Sequence, residues 1–281
     1  MKKSMTSDKL KRWAVVHPIV LFVILSYSIS WAFWIPAGMI LESDFAQIAH
    51  LAGAFGPMIS ALILVALRGG SVRTWIASLF KWRVHPVWYV FALLFPTFLI
   101  GIMSGFYLAL GYDLDVGILP ERLSSYVPTL AFMTILGGGN EEPGWRGFAL
   151  LELMKSHPPV IATLILGLIW GVWHAPILLS NPQVMSGEMP ASALLILVGV
   201  TLVSITVHAF WYTWLFNQTK SILLCILLHG SYNTANWLLV LVGPEALSGQ
   251  SYQTLLTLMT SVLVGSVAVL LVATRGRLGA P

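Results

Sequence analysis

Long apolar runs, separated by short polar segments, dominate the chain. A helix that crosses the ~30 Å hydrocarbon layer of a bilayer needs about 20 apolar residues. By this criterion the pattern predicts about eight transmembrane helices, which run roughly over Trp13–Ile40, Ala46–Leu67, Val87–Leu110, Tyr126–Leu153, Val160–Leu179, Ala191–Phe216, Ser221–Leu241 and Thr254–Thr274. No soluble domain fits between these runs. We therefore expect an all-α, polytopic integral membrane protein with one membrane domain over residues 1–281.

Composition agrees with this pattern. Hydrophobic residues make up 57% of the chain and charged residues only 9%, whereas a soluble domain carries about 25% charged residues. The net charge of +4 does not predict nucleic-acid binding, because the charges are spread over separate loops. The single Cys225 excludes an internal disulfide framework. The basic start of the chain resembles a signal peptide, but the apolar run after it is too long, so we expect this helix to be retained.

Charge segregation between the loops predicts the orientation. All Lys and Arg residues except Arg122 and Arg146 fall in segments 1–12, 68–86, 154–159 and 217–220 and in the tail after Thr274. The opposite loops hold the acidic residues Glu42, Asp44, Asp113, Asp115, Glu121, Glu188 and Glu245. Under the positive-inside rule, both termini are then cytoplasmic. The basic, aromatic stretch from Arg68 to Trp88 fits either an amphipathic surface helix or a plain loop.

Ionisable residues within the predicted fourth span are the first sign of function, since an acid at a helix centre costs ~2.5–3.5 kcal/mol. This span contains three consecutive glycines followed by Asn140-Glu141-Glu142-Pro143-Gly144-Trp145-Arg146. Glu142 and Arg146 are four residues apart and can pair on one helical face, while Glu141 points elsewhere and is free to face a cavity. Pro143 and the glycines predict a kink beside a wet cavity. A structural clamp without chemistry is the alternative.

Two other spans carry polar residues at helical spacing. The fifth has Trp170 and His174 one turn apart, with Pro176 loosening the helix behind them, and the seventh has His229 and Asn233 on one face. Hydrogen-bonded packing is the alternative for His174, and interhelical hydrogen bonding for the second pair. His50 and His208 belong to no motif and are interpreted as structural or interfacial. Residues Trp145, Trp173, Trp211, Trp214 and Trp237 are interpreted as packing.

The remaining chemistry favours an activated water. No HExxH, GxSxG or Walker motif occurs. A carboxylate, two imidazoles and an amide are left, which is a set suited to hydrolysis. The carboxylate takes a proton from water with the help of an imidazole, and donors on another helix receive the oxyanion of the tetrahedral intermediate.

Together these motifs resemble the CPBP (Abi, or type II CAAX-protease-like) family of intramembrane endopeptidases. That family has Glu-Glu-x-x-x-Arg, aromatic-x-x-x-His and His-x-x-x-Asn motifs on three helices, in the order found here. The resemblance implies a catalytic core over residues 126–240. It also implies that Glu141 is the general base, that His174 helps to hold the water and that His229 and Asn233 form the oxyanion hole. Glu142, Arg146 and Trp170 would support the site. The family most often has Phe where Trp170 stands.

The resemblance also implies partners and a location. The substrate would be a membrane-associated or lipidated peptide in the bilayer, bound at a site that opens toward the cytoplasm. The protein would lie in a prokaryotic plasma membrane. No nucleic acid is expected as a partner. Whether the site binds a divalent metal such as Zn stays open. If it does, Glu141, His174 and His229 are the expected ligands. Two other functions also stay open: a catalytically silent bacteriocin-immunity or scaffold protein, and a transporter, although no inverted repeat is visible.

Overall fold

The computed structural model describes residue 9 and residues 11–40, 44–243 and 249–280. Every regular element within these ranges is helical, as predicted. The elements used below are α1 Pro18–Met39, α2 Asp44–Gly53, α3 Gly56–Leu67, α4 Val72–Leu79, α5 Val87–Ala109, α6 Leu119–Ser124, α7 Tyr126–Ile135, α8 Pro159–Trp173, α9 Ala175–Leu179, α10 Pro182–Met185, α11 Ala191–Thr219, α12 Ile222–Leu238 and α13 Gly249–Ala273. Lys2, Lys3, Glu42 and Glu245, which entered the orientation argument, lie outside the described residues.

Five helical stretches of the described chain are long and apolar enough to cross a membrane, and α2 with α3, bent by 40°, make a sixth if counted as one span. The chain is an integral membrane protein. The predicted fourth and seventh spans do not meet the same criteria. The fourth is a broken helix, and the seventh, α12, has only 17 residues with polar residues among them. The number of eight spans stays a prediction.

The basic segments meet at one end of the bundle. Arg68 pairs with Glu152 at 2.7 Å, and Lys81 Nζ donates to the Thr219 carbonyl at 2.8 Å. At the other end, Arg122 Nη1 donates to the Trp237 carbonyl at 3.2 Å. We call these two ends the basic end and the Arg122 end. This segregation is the one used to predict the orientation, which itself stays a prediction.

The stretch after Arg68 forms the short helix α4, so the helical interpretation of this stretch is confirmed for Val72–Leu79. Ser71 Oγ caps it by accepting from the Thr74 backbone N–H at 3.2 Å. Trp75 Nε1 donates to the Gly147 carbonyl at 3.1 Å. This bond ties α4 to the segment that carries the glutamate pair.

Packing concentrates around that segment. Residues Trp145, Phe148, Leu150, Trp173 and Tyr212 are among the large side chains of the main core cluster. The N-terminus of α3 approaches so closely that a Cβ on Gly144 would collide with the Pro57 backbone. Glycine at position 144 is therefore required by the contact with α3 rather than by its own backbone conformation.

Candidate functional site

The glutamate pair lies in a broken stretch of helix that we call the Gly139–Leu153 segment. After α7 ends at Ile135, the chain turns and continues as a 3₁₀ turn at Gly139–Glu141, one α-helical turn at Glu142–Gly144, a π-helical turn at Trp145–Ala149 and an α-helical turn at Leu150–Leu153. The predicted kink is thus confirmed. Single π turns inside helices are frequent at functional sites. The irregular backbone turns the polar side chains of this segment into the bundle.

Gly138 is the pivot of this break. Its φ of 129° lies in the region that only glycine adopts readily. A Cβ on this residue would lie 2.6 Å from His229 Nε2 and 2.5 Å from Asn233 Nδ2. The side chains of His229 and Asn233 thus converge on the same backbone position, as their spacing predicted.

Glu142 forms the buried charge cluster of the protein. Its Oε1 accepts from Arg146 Nη1 at 2.8 Å and from His229 Nδ1 at 2.8 Å. Glu142 and Arg146 are fully buried, and the side chain of His229 is 6% exposed. The predicted pairing of Glu142 with Arg146 is confirmed. Its link to His229 was not predicted, since 87 residues separate the two in sequence.

The bond to Glu142 restricts what His229 can do. An ionised carboxylate only accepts hydrogen bonds, so Nδ1 of His229 carries the proton. In a neutral imidazole, Nε2 is then an acceptor. His229 therefore donates from Nε2 toward an oxyanion only when both ring nitrogens are protonated.

Aromatic rings support the arginine from both sides. The guanidinium carbon of Arg146 lies 4.5 Å from the centre of the Trp170 ring and 4.1 Å from that of Tyr212. Such contacts stabilise a desolvated cation. Among the described residues, two nitrogens of Arg146, the second oxygen of Glu142 and the Tyr212 hydroxyl have no hydrogen-bond partner. The contacts described for the Arg146 charge are thus the ion pair and the two rings.

Glu141 is held by two indoles. Its Oε2 accepts from Trp170 Nε1 at 2.7 Å and from Trp145 Nε1 at 3.2 Å. Glu141 is only 6% exposed, and the prediction that it faces a water cavity stays a prediction. The interpretation of Trp145 as packing alone is incomplete, because its N–H donates to the carboxylate. Both donors bind the same oxygen, which leaves Oε1 for another partner.

His174 ends α8 and lies one turn from Trp170. Its Nδ1 is 2.9 Å from the Trp170 carbonyl oxygen, so this nitrogen carries the proton and Nε2 is an acceptor in the neutral ring. Trp170 thus contacts Glu141 through its side chain and His174 through its backbone. The helix stops at Trp173 and restarts at Ala175, which agrees with the loosening predicted from Pro176.

Asn233 connects the site with a groove at the Arg122 end. Its Nδ2 donates to the Gly137 carbonyl at 2.6 Å. The groove has a volume of about 640 Å³ and is lined by Arg122, Met133, Asn233, Asn236, Trp237, Val240, Val242, Tyr252, Leu255, Leu256 and Met259. We call it the Asn233 groove. If both termini are cytoplasmic, it opens on the opposite surface and is not the expected cytoplasmic opening.

Two histidines that belong to no motif, His50 and His208, lie near the site. His208 is buried and its ring centre is 3.9 Å from that of Tyr232 and 6.2 Å from that of Trp170. His50 stacks on Trp34, with ring centres 5.8 Å apart. His50 and Trp34 line a second cavity of about 530 Å³, and Trp237 lines both this cavity and the Asn233 groove. Nothing in these contacts gives either histidine a chemical role, and their structural interpretation stays a prediction.

The described residues offer no group of three His, Cys, Asp or Glu side chains arranged to hold a metal ion. Glu141 Oε2 accepts two indole N–H groups and His229 Nδ1 binds Glu142, but these bonds do not use Glu141 Oε1 or the Nε2 atoms of His174 and His229. A divalent metal at these three residues therefore stays a prediction, and the chemistry below uses only side chains and water.

Part of the chain is similar to known proteins. Residues 123–235 match the model of the family described as type II CAAX prenyl endopeptidase Rce1-like. This part of the chain is therefore similar to the type II CAAX prenyl endopeptidases, in agreement with the resemblance found in the sequence. A CAAX prenyl protease 2 of Methanococcus maripaludis is 30% identical over 120 residues, which is 42% of this chain and 43% of that relative. The match thus spans less than half of either protein. Residues 123–235, which match the family model, include the three motifs found in the sequence.

Proposed function

We propose that the protein is an intramembrane endopeptidase that hydrolyses a peptide bond in a membrane-associated or lipidated peptide. The observation that carries this proposal is the convergence of the three motifs through Trp170, Glu142 and Gly138. Similarity to this family supports the reaction class, and the name of the archaeal relative supports a prenylated peptide as substrate.

In the proposed reaction, a water molecule lies between Glu141 Oε1 and the free Nε2 of His174. Glu141 takes one proton as the water oxygen attacks the peptide carbonyl carbon. The negative charge moves to the carbonyl oxygen and is met by donors beside Gly138. Glu141 then passes the proton to the leaving nitrogen as the C–N bond breaks. The products are a carboxylic acid and an amine.

Asn233 is the better of the two proposed oxyanion donors. Its amide has two N–H groups, and the Gly137 carbonyl accepts only one of them. His229 supplies a second donor only in its doubly protonated form. In either form the Glu142 contact fixes the orientation of the ring.

The proposal is tested with purified protein in liposomes and an internally quenched peptide that carries a farnesylated cysteine. We expect cleavage by the parent and a loss of about 10²–10⁴-fold in kcat for Glu141→Gln and His174→Ala, the range typical of a general base or its partner. Glu188→Gln and His85→Ala, at exposed positions, are the matched controls.

Equal cleavage by Glu141→Gln and the parent would contradict the proposal. No cleavage by the parent of prenylated or unmodified peptides would favour the silent alternative. A phenotype in cells that survives Glu141→Gln would favour it as well.

A further inference from the structure

A cavity at the basic end of the bundle is lined by cations on one side and by apolar side chains on the other. Its cations are Lys11, Arg12 and Arg68, and its apolar residues are Val15, Ala66 and Leu67. Its volume is about 460 Å³, which lies within the ~300–1,000 Å³ typical of small-molecule sites. We call it the basic cavity. It lies between the helical residues 11–16, which lead into α1, and the end of α3.

The positive charge of the basic cavity is only partly balanced. Arg68 Nη1 donates to Glu152 Oε1 at 2.7 Å, and Lys155 Nζ donates to the same oxygen at 2.8 Å, so that two cations share one carboxylate. Among the described residues, no acid forms an ion pair with Lys11 or Arg12. These two side chains therefore remain for a ligand.

The sequence before the cavity adds to this charge. Segment 1–12 contains five Lys or Arg residues and a single acid, Asp8, which lies outside the described residues. A surplus of cations remains even if Asp8 neutralises one of them. A local excess of positive charge of this kind attracts anions.

The end of α3 does little to repel an anion. Free carbonyl groups at the C-terminus of a helix carry partial negative charge. Here the carbonyls of residues 64–66 accept hydrogen bonds from the backbone N–H groups of residues 68–70, at 2.9–3.0 Å. The charged group that this helix end brings to the cavity is thus the guanidinium of Arg68.

The apolar side of the cavity favours a lipid over a soluble anion. Val15 lies in the cavity wall, and Trp13, Val16 and Val20 beside it are also exposed. They lead into α1, which is long and apolar enough to cross a membrane, and exposed Trp residues are enriched at the membrane–water interface. A phospholipid buries its acyl chains against such a surface, whereas a soluble anion gains nothing from it.

We propose that the basic cavity binds the phosphate headgroup of an anionic phospholipid. Lys11 and Arg12 donate to the phosphate oxygens, and the acyl chains lie along the apolar surface that leads into α1. Arg68 keeps its bond to Glu152 and contributes N–H groups that this bond does not use. Basic pockets between transmembrane helices on the cytoplasmic side are typical sites for acidic lipids. The site takes no part in the proposed peptidase reaction, and neither proposal depends on the other.

Native mass spectrometry of the full chain in detergent, titrated with phosphatidylglycerol or with zwitterionic phosphatidylcholine, gives the affinity of the first lipid bound. For the parent we expect tighter binding of phosphatidylglycerol. The double variant Lys11→Gln/Arg12→Gln should lose about 10-fold or more in this affinity, because two cations at the headgroup are removed. Arg12→Lys, which keeps the charge, should retain most of it.

The matched control is Arg73→Gln/Arg83→Gln, which removes the same charge from exposed positions at the basic end outside the cavity. It should leave the affinity for phosphatidylglycerol nearly unchanged. An equal loss in both double variants would overturn the inference, since the attraction would then be spread over the whole basic end. Equal affinities of the parent for the two lipids would overturn it as well. If glycerol phosphate displaces the lipid at equal concentration, the cavity binds soluble phosphate and the lipid assignment is wrong.

A second measurement compares melting temperatures of the protein in nanodiscs of phosphatidylcholine with and without phosphatidylglycerol. A ligand of the folded state raises the melting temperature. We expect phosphatidylglycerol to raise that of the parent and of the control, and to raise that of Lys11→Gln/Arg12→Gln less. The same rise in all three proteins would contradict a site at the basic cavity. Similar melting temperatures in phosphatidylcholine alone show that the variants keep the fold.

Discussion

Two glutamates ten residues apart on the Gly139–Leu153 segment are each held by two basic groups. Glu142 binds Arg146 and His229, both at 2.8 Å. Glu152 binds Arg68 at 2.7 Å and Lys155 at 2.8 Å. The distances are almost the same, but the surroundings are not. The first cluster is buried, whereas the side chains of Arg68 and Lys155 are 24% and 60% exposed.

The comparison shows that an ion-pair distance says little about its energetic consequence. Exposed pairs contribute ~0–1 kcal/mol, because water solvates the separated charges well. The attraction within a buried pair must first offset the large free-energy cost of removing both charges from water. A protein in which apolar residues of the same size replace such a pair is therefore often no less stable. The Glu142 cluster is therefore poorly explained by stability alone, and in the proposed mechanism its contact with His229 gives it a role in positioning that ring.

The largest expected effect comes from removing one partner of the buried cluster. Arg146→Ala leaves Glu142 without its main partner and two rings without their cation, so we expect a loss of about 3–5 kcal/mol in the free energy of unfolding together with a loss of cleavage. Denaturant unfolding in detergent measures the first effect. An unfolding curve identical to that of the parent would contradict the pairing.

A smaller effect is expected for Trp170→Phe. The ring and its contact with Arg146 are kept, but Glu141 loses the shorter of its two indole donors, and a hydrogen bond to a charged group contributes ~1.5–3 kcal/mol. We expect a lower kcat and a milder loss of stability than for Arg146→Ala. Trp82→Phe, at an exposed position, is the control. Unchanged kcat would mean that Trp145 alone orients Glu141.

The smallest effect is expected at the partly exposed Glu152 cluster, in which the side chain of Glu152 is 11% and that of Arg68 24% exposed. Arg68→Ala should change the free energy of unfolding by ~0–1 kcal/mol and leave cleavage unchanged. Any difference in the free energy of unfolding between the variant and the parent should be smaller at high salt, which screens exposed charges. Unfolding at low and high ionic strength checks this. A loss as large as that of Arg146→Ala would remove the contrast between the two clusters.

Part of the site could be read from the spacing of residues along single helices. Glu142 with Arg146, and His229 with Asn233, are four residues apart, and helical periodicity alone brings such pairs together. The kink at the fourth span was also predictable, because glycines next to a proline disfavour a regular helix. The hydrogen bonds from two indoles to Glu141 could not be predicted from the sequence, since Trp145 and Trp170 look like ordinary packing residues there.

The membrane character, the helical class and the members of the three motifs follow from the chain alone, because hydrophobicity and helical periodicity are local properties. The bond between Glu142 and His229, the sharing of Trp170 by Glu141 and His174, and the groove that joins Asn233 to Arg122 required the folded bundle. These contacts join residues up to 115 positions apart, and no local pattern records which helix faces meet. Packing of α8, α12 and the Gly139–Leu153 segment creates them.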